Sequence, residues 1–264
     1  MAHFRDQILV PLLGLFAAPQ IDFPGGEVAV LMLLRWIHLV AGITWVGLLY
    51  FLTLVNMPFL QELDAQSRGI VVPKLMPRAL WWFRWSAVVT VLVGIAYWMH
   101  IVATDARSAS VAGDAASPGR MFISFFVLWT LAFAVEMGVL MSPAEALRKG
   151  PVLGAIVAVA VVGASYVFLA MNQNGWESSR ALAIGIGGGL GWFMLLNVWG
   201  IVWRMQKKMI RWTEANATHG TAIPPEAAKA ARLTMLCARV NFVLSFPMLF
   251  FMGAASHYAM FPGK

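Results

Sequence analysis

The feature that most constrains the fold of this chain is a series of long apolar segments, each close to the length that crosses a bilayer. A transmembrane helix needs about 20 consecutive, mainly apolar residues. Six segments reach that length, at residues 28–54, 79–103, 121–141, 151–171, 181–203 and 233–258. In lipid, only helices and closed barrels pair all their backbone groups, and continuous rather than alternating apolar runs favour helices. We therefore predict an all-α, polytopic membrane helix bundle.

The same segments predict how the chain is organised. We expect one membrane domain over residues 1–264, with an N-terminal segment at 1–26 and a transmembrane bundle at 27–260. Residues 8–18 are apolar, but as a helix they would extend only ~16 Å, which is too short to span a bilayer. They predict a short interfacial or half-inserted helix.

Charge indicates the environment and the orientation of the chain. Only 12% of the residues are charged, against roughly 25% in soluble domains, so the main partner is the lipid bilayer. The net charge of +7 comes mainly from loops, which argues against binding to nucleic acid.

The loops after the first, third and fifth segments hold eleven Lys and Arg residues, and the opposite side holds five. By the positive-inside rule we predict a bacterial inner membrane or its equivalent, with both termini on the periplasmic side.

Three histidines and one arginine are predicted to lie in the outer half of the membrane. They are Arg35 and His38 in the first segment, His100 near the end of the second and His257 near the end of the sixth. Ionisable residues within a span are costly and usually face a bundle interior or a cavity. Each also has a structural interpretation: the arginine can extend to lipid headgroups, and the histidines can serve in packing, at the interface or at a helix end.

Imidazoles on facing helices can ligate a b-type haem iron or another transition metal, or bind and deprotonate a small polar substrate. The predicted haem ligands are His38 and His257, with His100 as a further candidate, and the predicted catalytic residues are His38, His257 and Arg35. Small residues beside two of the histidines, namely Ala41 and Gly42 and residues 253–255, would admit a macrocycle. The single cysteine, Cys237, excludes an internal disulfide and a CxxCH haem attachment site.

Other polar residues are predicted in the inner half. Glu136 lies late in the third segment and Arg239 early in the sixth, with Asn197 and Asn241 at similar depth. We predict a structural pair between Glu136 and Arg239, since neutralisation reduces the cost of two buried charges; a proton path is the alternative.

The glycines of "GIGGGLG", Gly185–Gly191, have GxxxG spacing and predict close helix packing.

Several stretches together resemble one known family. "RWIHLVAGITWVGLLYF", "PRALWWFRW", "NVWGIVWRMQKK" and "SFPMLFFMGAASHYAM" are similar to successive motifs of the membrane domain of the cytochrome c-linked membrane urate oxidases. The resemblance extends over nearly the whole chain. It implies a multi-span bundle involved in oxidation of urate to 5-hydroxyisourate, with electrons passing to a c-type haem at the outer face. It also assigns His38 and His257 as site residues.

This chain resembles the short members of that family, without the cytochrome c domain. Where long members carry His and Glu around the second span, it has Trp81 and Ser86. Two functions remain open. The chain is either a redox protein that oxidises a small, urate-like reductant or relays electrons to a separate cytochrome c, or an accessory subunit of a larger respiratory, photosynthetic or monooxygenase complex.

Overall fold

The computed structural model describes residues 24–262 of the chain, so the predicted helix at residues 8–18 lies outside the described part. The chain divides into two compact units, Met1–Leu33 and Leu34–Lys264. In the first unit, the described residues from Gly26 onward are helical. The second unit contains the candidate functional residues considered below.

Six helices are long and apolar enough to cross a membrane, and they confirm the predicted all-α fold. Residues 24–262 include no β-strand. The helices are α1 (Gly26–Glu62), α2 (Ala65–Val111), α3 (Pro118–Met141), α4 (Gly150–Asn172), α5 (Ser179–His219) and α6 (Glu226–Ala254).

Some helix boundaries differ from the predicted segments. Helix α2 has 47 residues and α5 has 41, because both continue as polar helix beyond their apolar portions. Helix α6 ends at Ala254, whereas the predicted segment extends to residue 258. Apolar composition does not mark that end, so His257 lies in a turn after the helix rather than within it.

Helix α5 is the central element of the second unit. Its most apolar stretch is 78% buried, against 39% or less in each of the other five helices. The glycines predicted to allow close packing do so: a Cβ at Gly185 would collide with the ring of Phe168 in α4, and one at Gly189 with the ring of Trp129 in α3. Small residues let neighbouring helices approach in this way. This packing brings α5 into the middle of the bundle.

Candidate functional site

A cavity of about 650 Å³ lies within the second unit, mainly between α1, α2, α5 and α6. Its volume is in the range of sites for small molecules and cofactors, roughly 300–1,000 Å³. The wall is predominantly apolar. It includes the glycines Gly42, Gly94, Gly187, Gly188, Gly191 and Gly253, which present backbone rather than side chains. Such a wall suits an apolar, flat group.

His38 is the best-defined polar group of the cavity. Its Nδ1 lies 2.7 Å from the backbone carbonyl oxygen of Thr90 in α2. A carbonyl only accepts hydrogen bonds, so Nδ1 carries the proton and donates it. The other ring nitrogen, Nε2, has no hydrogen-bond partner among the described residues and is not fully enclosed. The imidazole therefore offers a nitrogen lone pair at the cavity wall.

Gly94 creates the space for this ring. A Cβ at this position would lie 2.7 Å from Cε1 of His38 and 2.8 Å from Nδ1. Real Cβ atoms do not come so close to a neighbour, and any larger residue would displace the imidazole. Thr90 and Gly94 are one helical turn apart, so α2 supplies both the acceptor and the space for His38.

Arg180 at the start of α5 is a charged group at the cavity. Its Nη2 donates a hydrogen bond to the hydroxyl of Tyr97, and its Nε is buried without a partner. The start of α5 is held firmly: Ser178 donates two hydrogen bonds to Asp105, and Trp98 Nε1 donates to the carbonyl of Ala181 at 2.8 Å. These contacts fix the position of the guanidinium.

Both charged side chains that line the cavity are basic. Arg35 and Arg180 line it together with His38, whereas no Asp or Glu is among the described lining residues. The positive end of the α5 helix dipole lies at Arg180 and adds to the same potential. The cavity is therefore suited to an anionic group.

The four predicted outer residues are not all brought together. Arg35 and His38 line the cavity, but His100 and His257 are not among its lining residues. His257 is exposed in the turn after α6 and packs beside Tyr258, with ring centroids 6.4 Å apart. His100 is half-buried, with Nε2 3.5 Å from the hydroxyl of Thr104. Within the described part of the chain, no three His, Cys, Asp or Glu side chains form a metal-binding group.

The structure gives Glu136 a different partner from the one predicted. Glu136 is fully buried, and its Oε2 accepts a hydrogen bond of 2.8 Å from Asn197. Arg239 is exposed. The predicted ion pair between Glu136 and Arg239 therefore does not form, because the two side chains belong to different environments despite their similar depth in the sequence.

Sequence reasoning missed Arg180, Thr90 and Gly94. Arg180 precedes the apolar part of its helix, so the sequence does not distinguish it from a loop charge. Thr90 contributes a backbone carbonyl, which no residue type reveals. A signal for Gly94 was present: an isolated glycine inside a helical, apolar segment often has a packing reason.

The family model described as "Urate oxidase N-terminal" matches residues 27–264. No curated protein and no solved structure matches the chain.

Proposed function

Because the chain belongs to the urate oxidase N-terminal family of membrane proteins, we propose that it is a redox protein and that the cavity at His38 is its redox site. The observation that carries this proposal is the orientation of His38. Its Nδ1 is held by the Thr90 carbonyl, and its Nε2 remains available at the cavity. A metal-ligating histidine usually donates its other ring N–H to a carbonyl or carboxylate in this way.

A b-type haem fits the described cavity residues. The volume of about 650 Å³ and the glycine-rich apolar wall suit a large flat macrocycle, and Arg35 and Arg180 suit two propionates. The unpartnered Nε of Arg180 is a donor that an anionic group would satisfy. A haem bound there would supply one-electron transfer, with a potential that depends on its axial ligand and burial. His38 would be the ligand, and the apolar wall would exclude water.

The test is an absorption spectrum of the purified chain, reduced minus oxidised. We expect the bands of a b-type haem, and we expect His38→Ala to lose them. His100→Ala and His257→Ala are matched controls, because these imidazoles lie outside the cavity lining, and both should keep the bands. A wild-type chain that folds without any such chromophore would overturn the haem proposal. It would favour the alternative, an accessory subunit of a larger membrane complex.

A second candidate function is oxidation of a urate-type anion in the same cavity. It is favoured by the family and by an imidazole that can act as a base in a cavity that two guanidinium groups also line. Urate and one water yield 5-hydroxyisourate, two protons and two electrons. The electrons would go, one at a time, to a separate c-type cytochrome at the outer face.

This candidate is tested by urate-dependent reduction of added ferricytochrome c. Turnover should fall at least tenfold in Arg180→Ala and be lost in His38→Ala, while His257→Ala should retain it. Absence of turnover in the wild-type chain would exclude urate oxidation by this chain. The haem proposal would be unaffected, because its readout is the spectrum.

A further inference from the structure

A second polar cluster lies inside the bundle, formed by one residue each from α3, α5 and α6. Glu136, Asn197 and Asn241 are all at most 1% exposed. The amide nitrogen of Asn197 is 2.8 Å from Glu136 Oε2 and 3.0 Å from Asn241 Oδ1, and the amide nitrogen of Asn241 is 3.1 Å from the carbonyl oxygen of Met194. None of these residues lines the cavity at His38.

The direction of each hydrogen bond in this cluster is fixed. The Met194 carbonyl can only accept, so Asn241 must present its NH₂ to it and its oxygen to Asn197. That oxygen must then accept a hydrogen bond from the Asn197 NH₂, whose second hydrogen is donated to Glu136 Oε2. An amide NH₂ has two hydrogens, and both are now used. Asn197 Oδ1 and Glu136 Oε1 are left buried as two acceptors without a donor.

No cation resolves this shortage of donors. None of the described residues forms an ion pair with Glu136, and Arg239 is exposed. The other groups that face Glu136 from α5 and α6 are the two amides and the buried thiol of Cys237, which is near enough to interact with it electrostatically. An isolated carboxylate in the interior of a membrane protein would cost several kcal/mol.

We propose that Glu136 is a proton-binding site, in which Oε1 carries a proton and donates it to Asn197 Oδ1. One added proton then turns Glu136 Oε1 from an acceptor into a donor, gives Asn197 Oδ1 the donor that it lacks and removes the buried charge. The acid and the amide would form a cyclic pair of two hydrogen bonds, of which the 2.8 Å contact to Oε2 is the first.

Polar side chains of α6 and α1 lie between the Glu136 site and the wall of the cavity at His38. Asn241 and Ser245 are one turn apart on α6, and Ser245 is fully buried. The Ser245 hydroxyl lies 3.0 Å from that of Tyr50, which lines the cavity. Glu136 therefore belongs to a series of polar side chains that ends at the cavity wall with Tyr50. The proton site itself does not depend on what the cavity binds.

The proposal is tested by infrared spectroscopy of the full-length protein in lipid at neutral pH. We expect the carbonyl stretch of a protonated carboxylic acid, which shifts in D₂O and is absent from Glu136→Gln. A spectrum without this band, or a band that persists in Glu136→Gln, would overturn the proposal.

Glu177 offers a matched control within the same chain. It is also buried, at 1% exposure, but its two oxygens accept hydrogen bonds from the backbone N–H and the side-chain amide of Asn174. Unlike Glu136, Glu177 therefore has a donor for each of its two oxygens. Glu177→Gln should leave the protonated-acid band unchanged, and a band lost in Glu177→Gln would contradict the assignment to Glu136.

Thermal unfolding of the same two variants gives an independent readout. In Glu136→Gln the new NH₂ can donate to Asn197 Oδ1, so the unfolding temperature should not change measurably. In Glu177→Gln the new NH₂ meets the donors of Asn174, so the unfolding temperature should fall. The opposite ranking would overturn the proposal.

Discussion

His38 and Glu136 are both titratable side chains inside the bundle, and the hydrogen-bond partner of each one determines its chemistry. The Thr90 carbonyl, which only accepts, keeps a proton on His38 Nδ1 and leaves Nε2 free. The Asn197 amide, whose two hydrogens are both used, leaves Glu136 short of a donor. In each case, the chemistry of the residue depends on a neutral group from another helix.

At the residue scale, we predict that Gly94→Ala will displace His38. The added Cβ would lie within 3 Å of the imidazole, so the ring must move and its hydrogen bond to Thr90 must lengthen or break. The measurement is the Nδ1–H resonance of His38 in protein labelled with ¹⁵N-histidine, which should shift or exchange with solvent.

Gly47→Ala is the control for this substitution. Gly47 also lines the cavity, but a Cβ there meets nothing within 4 Å. Its variant should keep the wild-type resonance. An unchanged His38 signal in Gly94→Ala would show that Gly94 does not determine the position of the ring.

At the element scale, substitutions of two glycines in α5 test how closely these helices pack. A Cβ at Gly189 would collide with the indole of Trp129, whereas a Cβ at the adjacent Gly188 meets Met252 Cε and Phe125 Cε2 at an ordinary 3.7 Å. We predict that Gly189→Ala destabilises the protein by about 1–3 kcal/mol, the usual cost of overpacking. Gly188→Ala should be tolerated. Thermal unfolding in one detergent compares the two variants, and equal stability would show that the α3–α5 contact adjusts without cost.

The start of α2 gives a prediction about pH. The carboxylate of Asp64 accepts hydrogen bonds from the backbone N–H and the hydroxyl of Ser67. Both bonds lower the pKa of Asp64 below its ordinary value, and the backbone bond has the larger effect. A group with a lowered pKa in the folded state stabilises it fully above the ordinary pKa and loses that effect as the pH falls through the lowered value. Asp64 caps α2, so its first turn should fray in that acidic range.

Hydrogen exchange of the amides of residues 65–70 measures this fraying. Protection should decrease as the pH falls through the acidic range in the wild-type chain. Asp64→Asn keeps a capping oxygen without a titration, so its protection should not depend on pH in that range. A wild-type first turn with pH-independent protection would exclude a role for the carboxylate.

At the scale of the whole molecule, the orientation in the membrane remains a prediction from the positive-inside rule. The loop between α2 and α3 should face outward, and the basic loop between α5 and α6 should face inward. Single cysteines at the exposed positions Ala115 and Thr221 test this in intact cells, with buried Cys237 replaced by alanine. A membrane-impermeant thiol reagent should label Ala115→Cys alone. Labelling of Thr221→Cys alone would show that the orientation is the opposite of the predicted one.

The sequence by itself determined the number of membrane-spanning helices, their approximate positions and the family. These predictions succeeded because apolar length is a local property and because lipid allows few alternatives to a helix. The motif around His38 also contains two of the residues that line the cavity, Arg35 and His38.

Only the tertiary structure decided which polar side chains meet. Depth in a span does not give the rotation of a helix about its axis. The structure shows that rotation: His38 faces the cavity, Arg239 faces outward and Glu136 pairs with Asn197. Nor does apolar composition show that α6 ends at Ala254 and leaves His257 in a turn. Helix rotation and helix ends are determined by contacts between distant segments, such as Gly94 against His38 and Asp105 against Ser178.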